Sequence, residues 1–189
     1  MSAKILEGNV LETLKDLPAC SVQCVVTSPP YYGLRDYGMD GQIGLEATPE
    51  AYVETMVKVL RDGRRVLKDD GTLWLNLGDS YAGSWGNYGG QNRGNGKQRE
   101  IVNGSQVEQK AYEGKEHWKP PTANNLGNGI KPKDLIGIPW MVAFALRADG
   151  WYLRQEIIWN KPNPMPESVT DRCTKSHEQI FLLTKSKVY

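Results

Sequence analysis

The fold is decided by residues 22–38, VQCVVTSPPYYGLRDYG, where a β-branched apolar run is followed directly by two prolines. The run at 22–26 predicts a buried strand. Neither Pro29 nor Pro30 has an N–H to donate, so the hydrogen-bonded ladder of this strand stops there. We therefore expect a sheet in which the strand ends in a rigid, extended segment, residues 28–31, which we call the lip.

The lip presents two hydrogen-bond acceptors beside an aromatic ring. The proline pair holds the backbone near polyproline geometry, which fixes the Pro29 carbonyl and the Ser28 hydroxyl in place. A planar ring with an amino group fits here, because it stacks on Tyr31 while the two acceptors bind both N–H groups of the amine. Ser28, Pro29, Pro30 and Tyr31 are therefore candidate catalytic residues for N-methylation. The alternative is a structural turn with a packing tyrosine.

A Ser-Pro-Pro-Tyr sequence after an apolar strand resembles the catalytic motif of S-adenosylmethionine-dependent DNA amino-methyltransferases. These enzymes make N4-methylcytosine or N6-methyladenine. The stretches IIWNKPNP at 157–164 and HE at 177–178 resemble one branch of that family. The resemblance implies S-adenosylmethionine as cofactor and double-stranded DNA as partner. A serine in the first position of the motif is more typical of the cytosine-N4 members, so we expect that product, with adenine N6 as the alternative.

Composition indicates one globular domain spanning residues 1–189, with 39% hydrophobic and 24% charged residues. The longest apolar stretch, 138–146, is shorter than the roughly 20 residues that cross a bilayer. Lys4 and Glu7 interrupt the amino end before an apolar signal segment forms. We expect a cytoplasmic protein with no membrane partner. Three cysteines without a C-x-x-C pair predict neither a disulfide nor a metal site.

The order of elements predicts a Rossmann-like α/β fold with a parallel sheet of the methyltransferase type. Strands are predicted at 4–7, 22–26, 72–77, 151–160 and 178–184, and helices at 10–17, from Pro49 towards 67, and at 135–146. Ligands of such sheets bind beyond the carboxyl ends of the strands. The lip, Gly78-Asp79 and Lys161-Pro162 should therefore share one edge.

Residues 81–133 are predicted to form a long inserted loop with a possible DNA contact. This segment has 8 basic and 4 acidic side chains, a net charge of +4, whereas residues 1–80 have a net charge of −4. Basic residues interspersed with aromatic ones suit contact with a nucleic-acid backbone, and a disordered tether is the alternative. Four cations outside or beside this loop are also candidates for DNA binding: Arg35, Lys161, Arg172 and Lys175.

The resemblance also implies a cofactor contact at the turn after the first predicted strand. The family places a Gly-Asp turn there, and its carboxylate reaches the adenosyl group; this chain has Asn9, followed by Val10. Ser28 and Pro29 complete the predicted cofactor-binding set. The glycine-rich cofactor loop of the family, Asp-Pro-Phe-x-Gly-x-Gly-like, does not occur in the 189 residues.

We therefore expect a fold that is incomplete on its cofactor side, an order of motifs that resembles the beta class, and weak cofactor binding by the chain alone. The loop would come from a C-terminal segment after Tyr189 or from a second chain. Two other functions stay open from the sequence. A protein-glutamine N-methyltransferase uses a related lip, and a non-catalytic DNA-binding fragment is consistent with the missing loop.

Overall fold

The structure is a computed structural model, which describes residues 3–83, 99–102, 105–108, 129–164, 167 and 169–189. Its elements, in chain order, are helix α1 (Val10–Thr13), strand β1 (Val22–Thr27), helix α2 (Pro49–Val66), strands β2 (Leu67–Leu77), β3 (Arg99–Val102) and β4 (Ser105–Glu108), helix α3 (Ile138–Ala148), and strands β5 (Tyr152–Asn160) and β6 (His177–Thr184). Strands β1, β2, β6 and β5 form one sheet in that order, and β3 pairs with β4 in a second.

The main sheet is mixed, whereas the sequence predicted a parallel sheet; the strand that differs is β6, the last in the chain. Strand β1 is parallel to β2, as predicted, whereas β6 runs antiparallel to both β2 and β5. Parallel neighbours need a crossover connection, usually a helix. The connection between β5 and β6 contains no helix in its described residues, so the chain returns beside β5 in the opposite direction. This reversal brings the beginning of β6 to the edge where β1, β2 and β5 end.

The hydrophobic core lies between one face of this sheet and helices α2 and α3. Alternate residues of the two central strands point into it, and most of them are fully buried. Burying each such aliphatic or aromatic side chain stabilises the fold by about 1.5–3 kcal/mol. The core includes Tyr52, Met56, Leu60, Leu73, Leu75, Leu77, Val142, Leu146, Phe181 and Leu183.

Helix α2 begins where its sequence predicts. The Thr48 hydroxyl accepts a hydrogen bond from the Ala51 N–H at 3.2 Å, and Pro49 occupies the first turn. Near the other end, the Arg65 guanidinium donates to the Leu14 and Leu17 carbonyls at 2.7 and 2.9 Å. These bonds attach the amino-terminal segment to the helical layer.

Two predicted amino-terminal elements differ in the structure. Residues 4–7 form no strand, and Ile5 is 91% exposed. A strand needs a hydrogen-bonded neighbour, and none of the described strands pairs with this segment. The helix predicted at 10–17 is α1 followed by a 3-10 turn at Leu14–Asp16.

The predicted insertion at 81–133 closes on itself at its base. Ala82 N–H donates to the Asp134 carbonyl, and Lys133 N–H donates to the Ala82 carbonyl, both at 2.8 Å. The β3–β4 hairpin lies inside this segment, for which the sequence predicts a loop without elements. The rest, residues 84–98, 103–104 and 109–128, lies outside the described residues. Within the described ranges, no helix has the length and apolar character required to traverse a membrane.

Candidate active site

The lip lies at the carboxyl edge of the sheet beside the end of β2. The parallel register pairs Val26 with Trp74 and Thr27 with Leu75, so the chain leaves β1 next to residues 76–80. The structure therefore confirms that the lip and Gly78 lie at the same edge of the sheet, as predicted. From α2, the Tyr52 hydroxyl donates to the Pro30 carbonyl at 2.9 Å.

Gly78 lets the Tyr31 ring lie directly against the end of β2. A Cβ atom added at Gly78 would stand 2.5 Å from Cε2 and 2.7 Å from Cδ2 of this ring. Such distances are well inside van der Waals contact, so only a glycine leaves room for the ring in its present position. The position of Tyr31 is thus set by the backbone of the neighbouring strand as well as by the lip.

The Tyr31 hydroxyl belongs to a network that we call the polar cluster, formed by Ser28, Tyr31, Asn76, Lys161 and Glu178. Tyr31 Oη donates to Glu178 Oε2 at 3.0 Å, and it lies 3.2 Å from Ser28 Oγ. Asn76 Nδ2 is 3.0 Å from both Tyr31 Oη and Glu178 Oε2. Lys161 Nζ forms an ion pair with Glu178 Oε1. Side chains from four separate chain segments thus meet beside the lip.

The electrostatics of the polar cluster fix its protonation near neutral pH. Burial raises the pKa of Tyr31 to about 12; the hydrogen bond with Ser28 opposes this rise, and Glu178 adds to it. Burial also acts to raise the pKa of Glu178, but hydrogen bonds from Lys161, Asn76 and Tyr31 outweigh it and hold the pKa below its usual range. Tyr31 is therefore a neutral donor and Glu178 a charged acceptor.

A cavity of about 420 Å³ opens beside Ser28 on the sheet face opposite the helices. Its walls are mainly apolar and include two indole rings, and Trp159 is 49% exposed. Asn76 Oδ1 is buried and accepts no hydrogen bond from the described residues. The cavity is lined by Val26, Thr27, Ser28, Trp74, Asn76, Trp159 and Ile180. Ligand pockets commonly combine apolar walls with a few polar groups of this kind.

The predicted cofactor residues Asn9 and Val10 lie at the start of α1. Asn9 Oδ1 accepts a hydrogen bond from the Leu11 N–H at 2.9 Å, so the side chain caps this short helix. Val10 is 37% exposed. A cofactor contact by Asn9 would use its remaining amide N–H groups, and it stays a prediction. In the part of the chain that the structure describes, no group of three or more potential metal ligands occurs.

The predicted DNA-binding cations occupy different surroundings. Arg35 is exposed in the loop after the lip, and Lys161 belongs to the polar cluster. Arg172 Nη1 pairs with Glu167 at 2.7 Å, and its guanidinium lies 3.8 Å from the centre of the Tyr81 ring. Lys175 is part-buried, and its charge acts to lower the pKa of Asp79. A phosphate contact by Lys161 or Arg172 would have to replace an existing ion pair.

Sequence reasoning missed two members of the site, Asn76 and Trp159, and assigned no role to Glu178. Asn76 had a usable signal, because it is a polar residue within the apolar run 73–77 that ends at the predicted ligand edge. Glu178 and Trp159 belong to stretches that resemble the family, but the resemblance gave neither residue a role, and no pattern in the sequence placed Glu178 beside the lip. In a fully parallel sheet, the beginning of its strand would lie at the opposite edge from the lip.

The described helices cover one face of the sheet, and the lip lies at the carboxyl edge of β1 and β2, the edge at which α/β folds bind their ligands. Residues 22–189 match the N6/N4 methyltransferase family model, which is described as DNA methylase. The chain belongs to this DNA methylase family.

Curated relatives carry the name Type II methyltransferase. M.Cfr9I of Citrobacter freundii is 49% identical over 187 residues, which cover 99% of this chain and 56% of that protein. M.SmaI of Serratia marcescens is 50% identical over 191 residues, which cover 100% of this chain and 58% of that protein. The chain therefore spans somewhat more than half the length of these two curated relatives.

Solved structures confirm the predicted fold class. The PvuII DNA methyltransferase, named cytosine-N4-specific, has a TM-score of 0.57 at 14% identity, covering 96% of this chain and 48% of that chain. A DNA modification methylase of Thermus thermophilus, complexed with S-adenosyl-L-methionine, has a TM-score of 0.55 at 21% identity, covering 96% of this chain and 55% of that chain. At these identities the likeness establishes the fold.

Proposed function

We propose that this chain carries the catalytic lip and base pocket of a DNA methyltransferase, which transfers a methyl group to the exocyclic amine of a flipped base. The observation that carries the proposal is the position of the lip: Ser28 lines a cavity of about 420 Å³, and its Oγ lies 3.2 Å from Tyr31 Oη. Membership of the DNA methylase family supports the same chemistry.

The residues of the lip perform the two tasks that amine methylation needs. Ser28 Oγ and the Pro29 carbonyl accept the two N–H bonds of the amine, which localises its lone pair on nitrogen. Tyr31 and the indole walls of the cavity supply stacking surfaces, each worth about 1–3 kcal/mol per base. This stacking offsets the few kcal/mol that extrusion of a base from the duplex costs.

S-Adenosylmethionine is the cofactor that we propose, because it supplies a methyl group bonded to a positively charged sulfur. Asn9, Val10, Ser28 and Pro29 would hold it. Asn76 Oδ1, which lines the cavity and accepts no hydrogen bond from the described residues, fits a cofactor with amino and hydroxyl donors. With the cofactor bound, the amine nitrogen would bond to the methyl carbon as the carbon–sulfur bond breaks, which would leave a neutral thioether, and the nitrogen would then lose one proton to water.

We propose cytosine N4 as the modified position, with adenine N6 as the alternative. The serine at position 28 supports cytosine, because the resemblance associates serine at this place in the motif with the cytosine-N4 members. Double-stranded DNA is the proposed partner, and its backbone would contact Arg35, Lys161, Arg172, Lys175 and the segment 81–133. The net charge of +4 on residues 81–133 supports a contact with the phosphate backbone.

The test is transfer of labelled methyl from S-adenosylmethionine to unmethylated genomic DNA. The chain is assayed alone and as a chimaera that replaces the matching 58% of M.SmaI. We expect label in DNA with the chimaera and much less with its Ser28→Ala variant, because this variant lacks one of the two acceptors for the amine. Hydrolysis and mass spectrometry identify the base. A folded chimaera that binds DNA without transferring methyl would support the non-catalytic alternative and overturn the proposal.

A further inference from the structure

We propose that Glu178 is a positioning residue, which holds the Tyr31 ring and, through Asn76, the Ser28 hydroxyl in the arrangement that receives the base. This inference rests on the proposed function and adds a residue to it. Glu178 does not line the cavity, and it contacts the lip only at the Tyr31 hydroxyl, so its effect on the reaction has to pass through the side chains that it binds.

The geometry gives Glu178 a contact to each part of the site. Its Oε2 accepts from Tyr31 Oη and from Asn76 Nδ2, both at 3.0 Å. The same Asn76 amide reaches Ser28 Oγ at 3.5 Å, a long contact that a small shift of either side chain would shorten or break. Glu178 therefore lies at the centre of the polar cluster, with Tyr31 directly bound and Ser28 one residue further away.

The Tyr31 ring needs such a contact because the lip fixes only its backbone. Prolines at 29 and 30 restrict φ, but they leave the Tyr31 side-chain torsions free. Gly78 supports the ring from one side by leaving space for it, and this contact resists motion towards β2 only. A hydrogen bond at the far end of the ring stops the remaining rotation. A charged acceptor makes that bond roughly twice as strong as a neutral one does.

Lys161 explains how a carboxylate is kept in this place. The Glu178 side chain is only 17% exposed, and a buried charge without a partner is strongly destabilising. The ion pair with Lys161 balances the charge and occupies Oε1, which leaves Oε2 for the two side chains of the site. The antiparallel direction of β6 completes the arrangement, because it places Glu178 at the edge where the lip lies.

The first experiment reads the contact without any enzyme activity. In the 189-residue chain labelled with 13C-tyrosine, the Tyr31 Cζ resonance is assigned by its loss in Tyr31→Phe and compared between variants at neutral pH. We expect Glu178→Leu to shift this resonance, and Glu178→Gln, which keeps an acceptor oxygen but loses the charge, to shift it less. The control Glu156→Leu changes an exposed acid on β5. An unchanged resonance in Glu178→Leu would overturn the inference.

The second experiment measures kcat and KM in the active chimaera. We expect Glu178→Leu to lower kcat by about tenfold or more and to change KM for DNA little. Residues in one hydrogen-bond network commonly have interaction energies large enough for a tenfold change in rate. Glu178→Gln should lose less of kcat than Glu178→Leu, because it keeps a neutral acceptor. In a Tyr31→Phe background, Glu178→Leu should cost much less, since no hydroxyl remains to be held. Equal losses in both backgrounds would overturn the inference.

A folding failure does not remove the test. If circular dichroism shows that Glu178→Leu is unfolded, the same measurements are made on the double variant Glu178→Leu with Lys161→Met. This variant removes both members of the ion pair and leaves no unpaired charge. Lys161→Met alone is then the control. Absence of methyl transfer by the unmutated chimaera would contradict the proposed function, while the Tyr31 resonance would still decide the role of Glu178.

Discussion

Gly78 and Tyr31 are two residues whose positions depend on each other at the edge of the sheet. The missing Cβ of Gly78 leaves the space that the tyrosine ring fills. The ring is then held at its hydroxyl by Ser28, Asn76 and Glu178. The catalytic geometry that we propose therefore depends on a residue with no side chain. One substitution at Gly78 and one at Tyr31 test it.

Gly78→Ala should inactivate the site and leave the fold intact. The added Cβ forces the Tyr31 ring to move by about 1 Å, and a displacement of this size costs up to about a hundredfold in rate. Methyl transfer and thermal unfolding are measured on the same samples. The matched control is Gly63→Ala in α2, where the new Cβ meets Leu60 at an ordinary 3.9 Å. Full activity in Gly78→Ala would show that the ring position does not matter.

Tyr31→Ala should reduce methyl transfer more than about tenfold without unfolding the chain. Loss of a stacking surface costs about 1–3 kcal/mol, and orientation of the amine is lost with it. Tyr31→Phe is the control, because it keeps the ring and removes only the hydroxyl, so it should lose less activity than the alanine variant. An alanine variant as active as wild type would contradict the assignment of the lip.

At this scale, the sequence predicted what is local and missed what depends on strand direction. The lip follows from residues that are adjacent in the chain, so a β-branched run and two prolines suffice to place Ser28 and Tyr31. Glu178 joins them from a distant part of the chain, and only because β6 is antiparallel. No spacing in the sequence encodes that direction, since alternation within a strand is the same whichever way it runs.

At the scale of elements, helix α3 begins at a charge supplied by another part of the chain. Asp79, directly after β2, accepts hydrogen bonds from Gly137 N–H and Ile138 N–H at 3.0 Å, and from Ser80 N–H at 2.9 Å. These groups include N–H donors that the first turn of a helix leaves unpaired. The sequence correctly placed Asp79 at the ligand edge, but its carboxylate is occupied by the helix.

Asp79→Ala should destabilise the chain by about 1–2 kcal/mol, because the N–H groups lose their acceptor. Asp79→Asn, the matched control, keeps an oxygen and should cost less. Burial raises the pKa of folded Asp79 above 3.8, so its contribution to stability decreases as pH rises through that region. The asparagine side chain does not titrate, so Asp79→Asn lacks this decrease. Measured by urea unfolding, the free energy of unfolding of Asp79→Asn should therefore rise relative to that of the unmutated chain between about pH 3 and 6. A pH-independent difference would contradict this interpretation.

The β3–β4 hairpin was missed although the sequence contains a signal for it. Arg99–Val102 and Ser105–Glu108 are separated by two residues, Asn-Gly in the sequence, and this dipeptide is the strongest short-range indication of a tight hairpin. The surrounding glycine, asparagine and glutamine residues obscured it. Helix α2 was predicted correctly because its capping threonine and first-turn proline are local signals.

At the scale of the whole molecule, charge is unevenly divided between the sheet-forming parts and the insertion. Residues 1–80 have a net charge of −4, and residues 81–133 have a net charge of +4. The insertion starts and ends at the same place, because residues 82 and 133–134 are hydrogen-bonded to each other. It can therefore be shortened without separating β2 from α3, which makes its contribution to DNA binding measurable.

Replacing residues 86–128 with a short Gly-Ser linker should leave the unfolding temperature almost unchanged and weaken binding to duplex DNA. For every phosphate that the insertion neutralises, the deletion should also reduce the slope of log affinity against log salt by about 0.9. A second variant, with Lys110, Lys115 and Lys119 changed to glutamine, keeps the length of the insertion. If charge is responsible, this variant should reproduce much of the loss in affinity and slope. Unchanged affinity and salt dependence in the deletion would identify the insertion as a tether that does not contact DNA.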